Sequence, residues 1–321
     1  MATSKTAFAL LRRLAAVLLL SCVLFLAVAW AILGGEAKFG DTYQSVIQRK
    51  YDQLIHTQGP KIVIIGGSNA GFGFDSVRMT EETGYPTINM GLHAGFGPLF
   101  NTEIAKNHIH EGDILLIAHE YGIESSVFEK LGDIDLIMKG IDTRLEMYRE
   151  IPLKNLPEIL SKLFDFAVTK AEKTKTASGV YSSGSFDAYG NMILERESCI
   201  IVDYENKQSI YGRVYGNSLL RPDDDLEYLV ELREYVESRG ASVYFLAPVL
   251  MAEAYEGTEQ NLLDYAAEIQ RRTGIEFICN PYDYVFPSEY MFDTIYHCNE
   301  KGEQLRTELV IRDLRAHGIV D

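Results

Sequence analysis

Four consecutive β-branched apolar residues, Ile62, Val63, Ile64 and Ile65, run directly into Gly66, Gly67 and Ser68. A strand apolar on both faces has no side to show to water. It belongs in the middle of a parallel sheet covered by helices on both faces. The surrounding sequence repeats the pattern. Residues 74–83 read as a helix ending near Gly84, and PTINMGL (86–92) as a second strand. Residues 98–110 read as a helix stopped by Glu111, Gly112 and Asp113, and DILLIAHEY (113–121) as a third strand. This alternation predicts an α/β fold with a doubly wound parallel sheet.

The rhythm breaks over 122–220 and resumes at Pro222. Asp223 to Asp225 offer a helix start, Leu226, Leu229, Val230 and Val236 share one face, and Gly240 ends the helix. SVYFLAPVL (242–250) is a fourth strand, 258–272 an amphipathic helix and IEFICNP (275–281) a fifth strand. Asn299 can cap a last helix that runs to about His317. Residues 122–220 read as an insertion with helical stretches at 134–149 and 155–172, then the Gly/Ser/Tyr-rich SGVYSSGSFDAYGN (178–191). Either it helps define a substrate site, as long loops on rigid scaffolds do, or it is an outer packing layer.

Residues 14–34 form a nearly unbroken apolar run. About 20 such residues at about 1.5 Å each cross a hydrocarbon core of about 30 Å. Lys5, Arg12 and Arg13 precede the run, and the first acidic residue, Glu36, follows it. This asymmetry predicts a cytoplasmic N-terminus and a body outside the cytoplasm. A cleaved signal peptide is the rival reading, since Ala27, Ala29 and Ala31 offer small-residue cleavage sites. The resulting division is a cytoplasmic tip and anchor over 1–35, a polar, partly helical stalk over 36–60, and one domain over 61–321.

The formal net charge of −16 disfavours nucleic-acid binding and broad adhesion to anionic lipid. Contact with the bilayer is therefore expected through the N-terminal helix. Cys199, Cys279 and Cys298 are an odd number outside the apolar run, and no spacing suggests structural zinc. One disulfide among them stays open. His93, His108, His110 and His119 straddle a turn, a helix end and a strand, so no ligand set is expected.

Three chemistries compete at IIGGSNAGFGFD (64–75). A dinucleotide loop needs G-x-G-x-x-G and an acidic residue about 20 positions on. Gly66, Gly67, Gly71 and Gly73 do not fit that spacing. A P-loop needs a lysine after its glycines, and none follows. The third reading is a nucleophile turn: Ser68 sits at the carboxyl edge of the sheet, beside helix N–H groups that suit an oxyanion. The bland alternative is a serine that only caps the helix. A serine hydroxyl needs a base, and MFDTIYHCNEKGEQLRT (291–307) supplies His297 with Asp293 four residues before it. A carboxylate there can fix the imidazole tautomer. Alone, the histidine reads as a packing residue and the aspartate as a turn residue.

Together these segments resemble the SGNH/GDSL hydrolase superfamily, over roughly 60–125 and 222–317. GGSNAG stands where that family has its Gly-Asp-Ser block, and Asp293 and His297 stand for its Asp-x-x-His block, one residue longer. INMGLHAG (88–95) stands for its second block. The resemblance implies Ser68 as nucleophile, His297 as base, Asp293 as orienting acid, and backbone N–H groups of Ser68 and Gly91 as oxyanion donors, with Asn69 assisting. Asn89 would hold the turn, and Asn89, His93 and Tyr121 would meet substrate. The family's third block has an asparagine where this chain reads AHEYG (118–122); Glu120 cannot donate when ionised, whereas Tyr121 can. That departure resembles the branch modifying cell-envelope polymers, including teichoic acid D-alanyl transfer and alginate O-acetylation proteins. The implied fold is the flavodoxin-like SGNH sheet, and the implied activity is an esterase or O-acyltransferase needing no metal or organic cofactor. Its substrate would be an acylated glycan or wall polymer, and a transferase implies a membrane-bound O-acyltransferase as partner. A non-catalytic envelope-assembly or glycan-binding protein and a lipid esterase are the rival expectations.

Overall fold

In a computed structural model, residues 2–121, 127–219 and 221–321 are described. Residues 122–126 and Leu220 of the expected insertion, and Met1, lie outside them. Helix α1 (Ala2–Leu33) contains the apolar run, and its segment Ala7–Leu33 is long and apolar enough to cross a membrane.

The stalk reading of 36–60 is not what the structure shows. Helix α2 (Val46–His56) buries Val46, Ile47, Lys50, Tyr51 and Leu54, and Phe39 and Tyr43 before it are also buried. Those positions make one helical stripe, so the segment is part of the folded body.

The central sheet has five parallel strands in the order β2-β1-β3-β5-β8. Its members are β1 (Ile62–Ile65), β2 (Thr87–Asn89), β3 (Ile114–Ile117), β5 (Ser242–Phe245) and β8 (Glu276–Phe277). β4 (Val214–Tyr215) pairs with β7 (Tyr255–Glu256), and β6 (Leu250–Met251) with β9 (Val285–Phe286). β1 and β3 are buried throughout, as an apolar strand between helical layers must be. At their N-terminal ends Lys61 and Asp113 form a buried ion pair, 2.8 Å long, and the Lys61 N–H donates to the same carboxylate. Removing one partner would strand a buried charge at a cost of about 3–5 kcal/mol.

The helices around the sheet start and stop where their end residues require. α3 (Ser68–Gly71) is one turn directly after β1. α4 (Ser76–Thr83) is capped by Asp75 and ends on Gly84 at φ 74°. α5 (Pro98–Asn107) follows β2. α6 (Ile134–Ile141), α7 (Leu145–Tyr148), α8 (Leu156–Ser161), α9 (Leu163–Glu172) and the short α10 (Gln208–Tyr211) lie between β3 and α11 (Asp223–Ser238). α12 (Glu259–Thr273) has a Thr258–Asn261 capping box, and α13 (Glu300–Ala316) is capped by Asn299. The four cysteines are unpaired.

Candidate functional site

Ser68 opens α3 at the carboxyl end of β1, the edge where open α/β sheets place ligands. The turn is held from behind. The buried Arg306 of α13 donates to Asn69 O at 2.7 Å, to Asn69 Oδ1 at 3.0 Å and to Ala247 O at 3.1 Å. Asn69 Nδ2 donates to Ala118 O. The Asn69 side chain is therefore wholly committed to the scaffold, contrary to its expected share in an oxyanion site. α3 is also too short for an appreciable helix dipole, so any oxyanion stabilisation falls to individual N–H groups.

Gly91 differs from expectation as well. Its N–H donates to Asn89 Oδ1 at 2.9 Å, and Asn89 Nδ2 donates to Ala70 O at 2.8 Å. A Cβ on Gly91 would stand 2.3 Å from Ala70 Cβ. Gly91 is thus a close-approach residue that lets the loop after β2 touch α3. Asn89 holds that loop, as expected of it, but does not line the cavity beside Ser68.

That cavity, of ≈ 730 Å³, is lined by Ser68, His93, Glu120, Tyr121, Tyr181 and His297, together with Arg213 and Tyr296. His297 Nδ1 and Asp293 Oδ1 are 2.7 Å apart. The second Asp293 oxygen accepts from the Tyr181 hydroxyl at 2.6 Å. Burial raises the Asp293 pKa, but the hydrogen bonds and charge from His297 and the Tyr181 bond outweigh it, holding the carboxyl below its ordinary range. The imidazole stacks on Phe72 at 4.2 Å. The Ser68 carbonyl accepts from the Phe72 N–H at 2.9 Å, while the Ser68 hydroxyl makes no hydrogen bond to another described residue. His93 accepts from the Gly95 N–H through Nδ1, and burial followed by the charge of His297 lowers its pKa. It lines the cavity as a neutral ring. Tyr121 is buried, with its hydroxyl unpartnered among the described residues.

Glu120 lies against the turn that Ser68 begins. Its Oε1 accepts from the Asn69 N–H at 3.3 Å. A Cβ on Gly67 would stand 2.3 Å from that oxygen, so the carboxylate lies directly over Gly67.

Tyr181, Phe72 and Arg306 were not singled out from sequence. Phe72 and Arg306 sit inside quoted motifs, but no periodicity marks their contacts. Tyr181 lies in the Gly/Ser/Tyr-rich run, where nothing local ties it to Asp293. With Tyr211 and Arg213, it makes the inserted region one wall of the cavity. Among the described residues, no three His, Cys, Asp or Glu side chains converge as metal ligands.

A serine that shares a cavity with a His–Asp pair has the residue set of nucleophilic acyl transfer. No protein-family model matches this chain, and no curated protein matches it.

Proposed function

We propose that this chain is a membrane-anchored serine esterase or O-acyltransferase of the SGNH/GDSL type. The observation that carries the reading is the sharing of one cavity by Ser68 and a His297–Asp293 pair bonded at 2.7 Å. The sheet supports it: counted along the chain, its strands follow the order 2-1-3-4-5, as in flavodoxin-like folds, with Ser68 next to the switch between β1 and β3.

In this mechanism Ser68 Oγ attacks an ester carbonyl while His297 Nε2 takes the serine proton. Asp293 accepts from His297 Nδ1 and stabilises the imidazolium. The Ser68 N–H faces the developing oxyanion, and Glu120 must be neutral or displaced at that moment, since a carboxylate there repels negative charge. Collapse expels the alcohol, which receives the proton from His297. Water then releases the acid, or a sugar hydroxyl takes the acyl group.

The charge asymmetry around α1 supports a body outside the cytoplasm, which makes acylated surface glycans or wall polymers the substrate class. A transferase would draw its acyl group from a membrane-bound O-acyltransferase. The second reading, a non-catalytic glycan-binding protein, is favoured by the Glu120 carboxylate over Gly67. Incubating the full chain with O-acylated glycans separates the two. Acyl release or transfer that disappears in Ser68→Ala supports the enzyme, whereas glycan binding without turnover supports the binding protein.

A further inference from the structure

Helices α8 and α9 are apolar on two faces. One face, with Ile159, Leu163 and Phe166, is buried in the body. The other shows Leu153, Leu160, Phe164 and Val168 at 82%, 41%, 64% and 56% exposure. Pro157 and Ala171 are exposed as well, and these positions follow one another three or four residues apart. Within α9 that spacing puts Phe164, Val168 and Ala171 on one face, and Leu153, Pro157 and Leu160 continue the apolar exposure on the 3-10 turn and α8 just before it. A helix packed on a soluble body normally turns polar residues outward, so a contiguous apolar stripe marks a contact surface.

The location of the stripe selects what covers it. α9 packs against the last turn of α1: Lys170 Nζ donates to Ile32 O at 3.4 Å, and Ala29 is buried against the body. Phe166 packs on Phe39, just beyond the end of α1, with ring centroids 5.8 Å apart. Trp30, 67% exposed, lies one turn before the end of α1, where interfacial aromatic residues mark the edge of a bilayer. α9 therefore stands at the height where α1 leaves the hydrocarbon. Charge agrees. Residues 153–175 carry five lysines (154, 162, 170, 173 and 175) against three acids (158, 165 and 172), in a chain of net charge −16. Lys170 and Lys173 pair with Asp142 and Asp41, and Lys162 pairs with Asp165 at 3.4 Å; Lys154, Lys162 and Lys175 are exposed.

We propose that α8 and α9 form a membrane-surface element whose outer stripe enters the headgroup and upper acyl region of the bilayer that α1 crosses. The exposed lysines meet anionic headgroups. The proposal rests on α1 being a membrane span and is independent of the chemistry at Ser68.

The chain has a single tryptophan, which gives a direct test. The full chain is reconstituted in phosphatidylcholine–phosphatidylglycerol vesicles, with or without dibrominated acyl chains. Wild type reports Trp30, and Trp30→Phe combined with Phe164→Trp reports the stripe. Trp30→Phe with Tyr282→Trp serves as a control on the body. The expected result is bromolipid quenching of at least twofold for both Trp30 and the tryptophan at 164, the latter blue-shifted and shielded from iodide. Quenching of Trp30 alone, with iodide reaching position 164, overturns surface docking and leaves the anchor standing. Position 164 shielded from both quenchers means a protein partner or second copy covers the stripe, and the proposal fails. If bromolipid quenches neither, the anchor reading fails and the docking proposal with it.

Discussion

The His297 imidazole lies flat on the Phe72 ring, with centroids 4.2 Å apart and planes 3° from parallel. Phe72 ends the turn that Ser68 begins, so this stack ties the last loop of the chain to the first strand's turn. Arg196 reinforces it by donating to both Phe72 O and Cys298 O, at 3.1 and 2.9 Å. Phe72→Leu keeps an apolar filler but loses the flat face. The expected cost is about 1–2 kcal/mol of stability and about tenfold in the rate of serine labelling. Unchanged labelling in a measurably destabilised variant would show that the stack only packs the core.

Asp293 receives one bond from His297 and one from Tyr181. Removing the acid leaves the imidazole free to take the wrong tautomer, so Asp293→Asn should lower turnover about 100-fold or more. Tyr181→Phe removes only the supporting bond, and a loss of about two- to tenfold is expected, seen in kcat rather than KM. Equal losses in the two variants would contradict this ranking.

Glu120 places a carboxylate against the Asn69 N–H. Glu120→Gln keeps the shape, removes the charge and supplies an N–H donor. Under the esterase reading, serine labelling at pH 7 should rise about tenfold, since oxyanion donors are worth about 10²–10³ in rate when fully formed. A fall in labelling would assign Glu120 a positive role, such as holding a cationic substrate group.

Lys50 is buried with its ammonium donating to Asn89 O at 2.7 Å, and burial pushes its pKa down to about 7 from 10.5. The folded protein releases this proton near pH 7, whereas the unfolded chain keeps it to about pH 10.5. Between those values the unfolded state binds more protons, so stability rises with pH, by at most about 1.4 kcal/mol per unit. Below pH 7 both states are protonated and the full cost of burying the charge is present. Lys50→Met should therefore be more stable than wild type at pH 6, with the difference shrinking toward pH 10. Denaturant titrations across that range measure it, and a constant difference would refute the shifted lysine.

β1 and β3 were legible because continuous apolar runs leave a strand no solvent face, and β2, β5 and β8 because their short apolar runs alternate with helices. Helix limits were legible where an end residue is chemically explicit, as at Gly84 and Asn299, whereas the Asp75 cap that starts α4 was not singled out. Residues 46–56 were misjudged because Lys50 interrupts the apolar stripe with a charge, and only the tertiary bond to Asn89 O shows that this lysine points inward. At the site, Ser68, His297 and Asp293 stand in short local patterns, and the fold brings Ser68 and His297 to one cavity. The roles expected of Gly91 and Asn69 depended on which partner each polar group chooses. Asn89 Oδ1 and Arg306 take those groups through contacts that no local spacing encodes.

The proposed chemistry stands or falls on an activated Ser68. The measurement is labelling of the full chain in detergent with a fluorophosphonate probe, comparing wild type, Ser68→Ala and His297→Ala, with folding checked by circular dichroism. The expected result is labelling of wild type, none in Ser68→Ala, and a loss of about 100-fold or more in His297→Ala. A folded wild-type chain that takes no label, or a Ser68→Ala variant that labels as well as wild type, would contradict it.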